Sequence, residues 1–246
     1  LSIRKAISIQ PNCAESHLHL GLILNDLGKS KEAELSTRNA IKAEPGFTNA
    51  HNHLGVILRD LGKLKEAEIS QRKAIKLKPN FPQAYSNLGN ILRDLGKLKE
   101  AEISVRKSIE LKPDIAEANS NLGIILQDNR KLEEAEIYYS KAIALKPRLK
   151  TALLNRWQLY FEKRKFDLAL KDAESLDSKE SRSCAVETLF AMGKIEEVYA
   201  RIRRTSDIDF ANIRLAAFAS FIEEQEKKDT ALNFCRNPLS FLYFSN

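Results

Sequence analysis

The chain has 246 residues, with 40 Lys and Arg against 33 Asp and Glu and a formal net charge of +7. Nine Gly, seven Pro and 43% apolar residues exclude collagen-like and low-complexity disordered chains. With 30% of residues charged, no apolar run approaches the roughly 20 residues a membrane helix needs, so no membrane association is expected.

Five of the seven prolines, Pro11, Pro45, Pro79, Pro113 and Pro147, lie 34 residues apart. That period indicates a stack of small units rather than one or two globular cores. Residues 1–13 contain LSIRKAISIQP, which matches ISQRKAIKLKP (69–79) and ISVRKSIELKP (103–113). They read as the second helix of a truncated repeat, so the chain is expected to begin inside a unit of something longer.

Residues 14–149 follow as four regular units of 34 residues: 14–47, 48–81, 82–115 and 116–149. Each predicts a first helix, a short turn and a second helix. In the first helices apolar residues recur at helical spacing, as in Leu54, Ile57, Leu58 and Leu61, or Leu88, Ile91, Leu92 and Leu95. Gly21, Gly55, Gly89 and Gly123 stand in mid-helix, where glycine costs about 1 kcal/mol relative to alanine. The repetition of that cost implies a neighbouring helix too close for a side chain. Gly28, Gly62 and Gly96, each followed by Lys, suit a left-handed residue at a helix end. The fourth unit has Arg130 there, and Asn129 is expected to take the left-handed conformation instead. The second helices run through Ala33, Ala67, Ala101 and Ala135, then Ala40, Ala74, Ser108 and Ala142. Ile41, Ile75, Ile109 and Ile143 are expected to reach into the next unit. No unit buries both faces alone, so stability must come from stacking.

Residues 150–183 keep Ala152, Tyr160, Phe166 and Ala169 but place Arg156 and Trp157 where Leu and Gly stood, and form a degenerate unit. Residues 184–246 read as irregular helical repeats or a cap with an apolar tail. Within them, 184–204 predict helix, Gly-Lys turn and helix, and 210–235 another helix pair before Pro238. The closing NPLSFLYFSN is either a docked apolar flap or the start of a further domain. Cys13, Cys184 and Cys235 form no CxxC pair. They are expected to be reduced structural thiols in a cytoplasmic compartment.

A mid-helix Gly, two Ala and a closing Pro at this period resemble the tetratricopeptide repeat over residues 14–149. The resemblance implies an all-α fold, a right-handed superhelix (α-solenoid) of antiparallel helix pairs, that binds extended peptides along its concave surface. At the fourth place, where the family often has an aromatic, stand His17, His51, Tyr85 and Asn119, of which only Tyr85 conforms.

Counting from Ala14, Thr48, Pro82 and Ala116, places two, five, six, nine, twelve and thirteen are those free of either neighbouring helix. The candidate peptide-binding residues are accordingly Asn49, Asn52, His53 and Arg59, then Gln83, Asn87, Asn90 and Arg93, then Asn121 and Gln127. An amide offers a peptide backbone both donor and acceptor. The sixth column, His19, His53, Asn87 and Asn121, resembles the asparagine ladder inside O-linked N-acetylglucosamine transferases, which implies a grip on a bound polypeptide backbone. The fifth column, Leu18, Asn52, Ser86 and Ser120, lacks the basic residue of the family's carboxylate clamp, which disfavours a chaperone-tail adaptor. Asp26, Asp60, Asp94 and Asp128 form a column read as inter-unit pairing, with recognition of basic ligand groups as the other reading.

Arg38, Arg72, Arg106, Lys73, Lys107 and Lys141 on the second helices are interleaved with Glu and read as a solvated outer face. Without interleaved aromatics for bases to stack on, nucleic acid is disfavoured. His17 with His19 and His51 with His53 stand two apart, so they do not share a helix face, and no ligand set completes them. No metal and no cofactor are expected. No phosphate loop, GxSxG or HExxH motif occurs, so the chain by itself is read as a non-enzymatic scaffold for a protein or peptide partner. Two other readings stand beside it. One is the substrate-recruiting arm of a larger glycosyltransferase, sulfotransferase or 2-oxoglutarate-dependent oxygenase, and the other is self-association through exposed repeat ends.

Overall fold

A computed structural model describes residues 10–206 of the chain, the last five by their backbone alone. Residues 1–9, the segment 210–235, Cys235, Pro238 and the apolar tail all lie outside the described residues. The described chain is all-α. Its helices are α1 (Ala14–Asp26), α2 (Ser30–Ala43), α3 (Thr48–Asp60), α4 (Leu64–Leu77), α5 (Pro82–Asp94), α6 (Leu98–Leu111), α7 (Ala116–Asp128) and α8 (Leu132–Leu145), followed by α9 (Lys150–Glu162), α10 (Phe166–Glu174), α11 (Lys179–Ala191) and α12 (Ile195–Ser206). The chain divides into two compact units, one ending at Lys146 and one starting at Pro147.

In the first unit the helices pair as α1 with α2, α3 with α4, α5 with α6 and α7 with α8, and each second helix also packs on the following first helix. Ala33, Ala67, Ala101 and Ala135 at these contacts are fully buried, since a small side chain lets two backbones approach. Gly89 is closer still: a Cβ there would lie 2.2 Å from Val105 Cγ2 and 3.2 Å from the Ala101 carbonyl oxygen. Ile41 packs against the core cluster that Leu54, Leu58 and Ala67 of the next repeat form with Ile91, so each repeat completes its core with its neighbour.

Gly28, Gly62 and Gly96 are left-handed, with φ of 72°, 73° and 74°. Two backbone bonds close each helix end, as Gly96 N–H donates to Arg93 O and Lys97 N–H to Leu92 O. The fourth repeat departs from the sequence expectation. Asn129 stays at φ −79°, and Arg130 itself is left-handed at φ 61°. The bonds Arg130 N–H to Gln127 O and Lys131 N–H to Leu126 O repeat the same pattern. The flanking helices therefore hold the left-handed position in register, and a residue with a Cβ occupies it.

In the second unit the degenerate repeat exchanges sizes across the same contact. Trp157 replaces the mid-helix Gly, and Ala173 stands at the place of Thr37, Gln71, Val105 and Tyr139, so the large partner has moved from the second helix to the first. Both belong to one core with Tyr160, Ala169, Cys184 and Ala185, and the indole Nε1–H donates to Thr188 Oγ1 at 2.9 Å. Arg156, at a former Leu place, grips Asp172 through two bonds of 2.8 and 2.6 Å. Asp172 is 3% exposed, and this geometry compensates a charge that would be costly to bury alone. A reciprocal cap between Ser178 and Ser181 starts α11 at Lys179, ahead of the helix expected from residue 184.

Candidate functional site

The first helices of successive repeats, α1, α3, α5 and α7, touch one another, so side chains at the same place form columns. At places five and six the columns interlock. Asn87 Nδ2 donates to Asn52 Oδ1 at 3.0 Å, and Asn121 Nδ2 donates to Ser86 Oγ at 3.1 Å. Each bond joins place six of one repeat to place five of the repeat before. A carboxamide offers two N–H donors and an acceptor oxygen, so each of these amides keeps groups beyond the one that orients it.

The fifth column itself is not open to solvent. Asn52 is only 6% exposed, with Ser86 and Ser120 buried likewise. Asn52, expected among the groove-facing residues, instead lies beneath Asn87 as its anchor. The physical reason is the 100° turn per residue of an α-helix, which carries place five under the neighbouring repeat while place six stays at the rim.

His53 stands where the amide rows would continue. The place that would hold its acceptor is Leu18, which offers none, and the half-buried imidazole has no hydrogen-bond partner among the described residues. Burial holds its pKa below the ordinary histidine value, so the ring is neutral near pH 7 and carries one donor and one acceptor. Asn90 is half-buried, whereas Asn49 and Gln83 are exposed.

Arg59 and Arg93 are occupied. Arg59 Nε bonds Asp94 Oδ2 at 2.6 Å, Arg93 lies 3.3 Å from Asp94 and 3.7 Å from Asp128, and the charges alternate across three repeats. Of the two readings of the aspartate column, inter-unit pairing is the one these contacts realise at Asp94 and Asp128. Gln127 accepts a bond from Tyr139 Oη at 2.8 Å, tying it to the second helix of its own repeat. The ten candidates thus separate into paired amides (Asn52, Asn87, Asn121), engaged side chains (Arg59, Arg93, Gln127) and side chains without a partner among the described residues (Asn49, His53, Gln83, Asn90).

Two features escaped the sequence reading. His17 bonds the carbonyl of Pro11 at 2.8 Å, His51 that of Pro45 at 3.0 Å, and Asn119 that of Pro113 at 3.1 Å. The departures from an aromatic at place four share one role, a donor to the closing proline of the preceding repeat. The constant step of six residues from each proline is the signal that could have found it.

The second is a lattice of ion pairs on the second helices. Glu34, Glu68 and Glu102 each receive an arginine four residues on and a lysine from the next repeat, in the sets Arg38 and Lys63, Arg72 and Lys97, and Arg106 and Lys131, at 2.8–2.9 Å. The same arginines reach on to Glu66, Glu100 and Glu134. The bond from Lys63 holds Glu34 below the usual carboxylate range. At Glu68 and Glu102 burial pushes upward, and the bonds from lysine and arginine outweigh it. The basic residues at the arginine positions are therefore neutralised within the array.

Family models described as tetratricopeptide repeat match residues 14–47, 82–115 and 116–149, and one described as TPR repeat matches 55–96. No curated protein sequence matches the chain. Among solved structures the chain is similar to PilW, a widely conserved type IV pilus biogenesis factor, at 18% identity over 84% of this chain and 98% of that one, with a TM-score of 0.74. It is also similar to pilF of Pseudomonas aeruginosa, at 18% identity over 85% and 97%, TM-score 0.69. A third is YrrB, a TPR protein with an unusual peptide-binding site, at 19% identity over 80% and 98%, TM-score 0.55. At such identities these likenesses concern the fold. Among the described residues no helix is long and apolar enough to cross a membrane.

Proposed function

The chain belongs to the tetratricopeptide-repeat family, and from that premise we propose that it is a protein-interaction scaffold holding an extended partner segment against its first helices. One observation carries the reading: the amides of Asn87 and Asn121 are fixed from one side by Asn52 and Ser86. An amide already oriented by one bond loses little side-chain entropy when its remaining groups bond a ligand backbone. His53 brings a further uncommitted polar group to the sixth column, and Asn49, Gln83 and Asn90 bring others to the same first helices. Because Arg59 and Arg93 are bonded to aspartates, they stiffen the array instead of seizing a ligand carboxylate. Recognition in this reading is of a neutral peptide backbone.

The test is peptide selection from a display library on the wild-type chain, followed by affinity measurement on Asn87→Ala/Asn121→Ala. A loss of at least tenfold, with the helical signal retained, is expected. Unchanged affinity for every selected peptide would end the proposal.

A further inference from the structure

The second helices carry large apolar residues in open solvent at the repeat period. Leu35, Ile69, Ile103 and Ile137 are 64%, 68%, 70% and 53% exposed, and each is 34 residues from the next. Single exposed aliphatics need no explanation, but a column of four does. Residues four apart share a helix face. Lys31, Lys65 and Lys99 stand four before the first three apolar residues, and Lys73, Lys107 and Lys141 four after the last three. Lys31, Lys65, Lys73 and Lys99 have no ion-pair partner among the described residues, while the arginines and glutamates nearby neutralise one another in the lattice described above. The net result is an apolar stripe flanked on one side by the unpaired Lys31, Lys65 and Lys99 and on the other by Lys73, while Lys107 pairs with Glu110 and Lys141 lies over the Tyr138 ring. Beside Ile69 it opens into a groove of about 450 Å³ lined from α2, α3 and α4, with Ile41, Leu54, Ile69, Lys42 and Lys73 among its lining.

We propose that this second-helix face is a second docking surface, and that its occupant is an acidic amphipathic segment of another protein, presenting one apolar residue per repeat with carboxylates beside it. Charge complementarity selects that occupant. A second copy of this chain would bring lysine rows against lysine rows. An anionic bilayer attracts a uniformly basic surface, whereas Glu66 and Glu100 lie exposed between the lysines and suit a partner whose charges keep a fixed register. The proposal is independent of the first-helix site.

The experiment selects display-library peptides on the full chain and measures affinities of the enriched peptides by fluorescence anisotropy. Enrichment of peptides combining aliphatic and acidic residues is expected. Their affinity should fall at least tenfold in Ile69→Ser/Ile103→Ser and, separately, in Lys65→Glu/Lys99→Glu, and should weaken with added salt. Asn87→Ala/Asn121→Ala should leave it unchanged, which separates this surface from the first-helix one. All four replaced side chains are exposed, so both variants should melt like wild type. The proposal fails if no such peptide is enriched or if both variants bind as wild type. Vesicles of phosphatidylserine and phosphatidylcholine that bind wild type but not Ile69→Ser/Ile103→Ser would reassign the face to a membrane and overturn it. A dimer dissolved by that variant would overturn it in favour of self-association.

Discussion

Replacing Gly89 by alanine isolates the close approach that makes the repeat possible. The new Cβ would meet Val105 Cγ2 at 2.2 Å, far inside the roughly 3.5–4.0 Å at which carbons attract. Val105 is fully buried, and a helical valine is held near one χ1 rotamer, so it cannot swing aside. Overpacking of this kind costs about 1–3 kcal/mol, while a helical Gly→Ala change returns about 1 kcal/mol. The net expectation is a loss of up to about 2 kcal/mol, or a melting point lower by up to roughly 8 °C for a chain of this size. In a Val105→Ala background the obstacle is gone, and the same change should become neutral or stabilising. The assay is a double-mutant cycle by urea unfolding followed by circular dichroism, with an expected coupling of about 1–3 kcal/mol, the size of the clash. Equal stabilisation by Gly89→Ala in both backgrounds would refute the reasoning, because Gly89 would then not be needed for space.

Gln71 is fully buried, its Nε2–H bonds Asn52 O, and its Oε1 has no partner among the described residues. Gln71→Val, copying Val105 of the next repeat, removes an unsatisfied acceptor that costs about 1–3 kcal/mol and a hydrogen bond that contributes about 1 kcal/mol, so it should stabilise by up to about 2 kcal/mol, and thermal melting checks it. Arg130→Gly should gain about 1 kcal/mol by relieving the left-handed φ of 61°, while a loss would mean that the arginine side chain matters more than its backbone. The pKa values of Glu34, Glu68 and Glu102 are held below the ordinary value of 4.5, so the folded state binds fewer protons there than the unfolded. Their stabilisation is complete above that value and is lost as pH falls through the lower folded values. Melting points measured from pH 7 to pH 3 should drop less steeply in Glu34→Gln/Glu68→Gln/Glu102→Gln than in wild type.

The period, the helix pairing, the tight contacts at Gly55 and Gly89 and the left-handed turns at Gly62 and Gly96 are legible in the order of residues alone. These features either repeat at 34 residues or depend on steric rules acting within a few bonds, so one chain displays them. The columns of candidate residues were legible for the same reason. Which atoms meet between columns was decided only by the tertiary structure. Asn87 and Asn52 are 35 residues apart, as are Arg59 and Asp94, and a one-place rotation of α3 or α5 would pair different side chains. The same holds for the burial of Asn52, the lattice through Glu34 and Lys63, and the exchange of bulk between Trp157 and Ala173. Left-handed Arg130 shows the limit most directly. Local preference favoured Asn129, but the closing bonds of α7 fix which residue must turn, and those bonds are set by helices already packed on both sides.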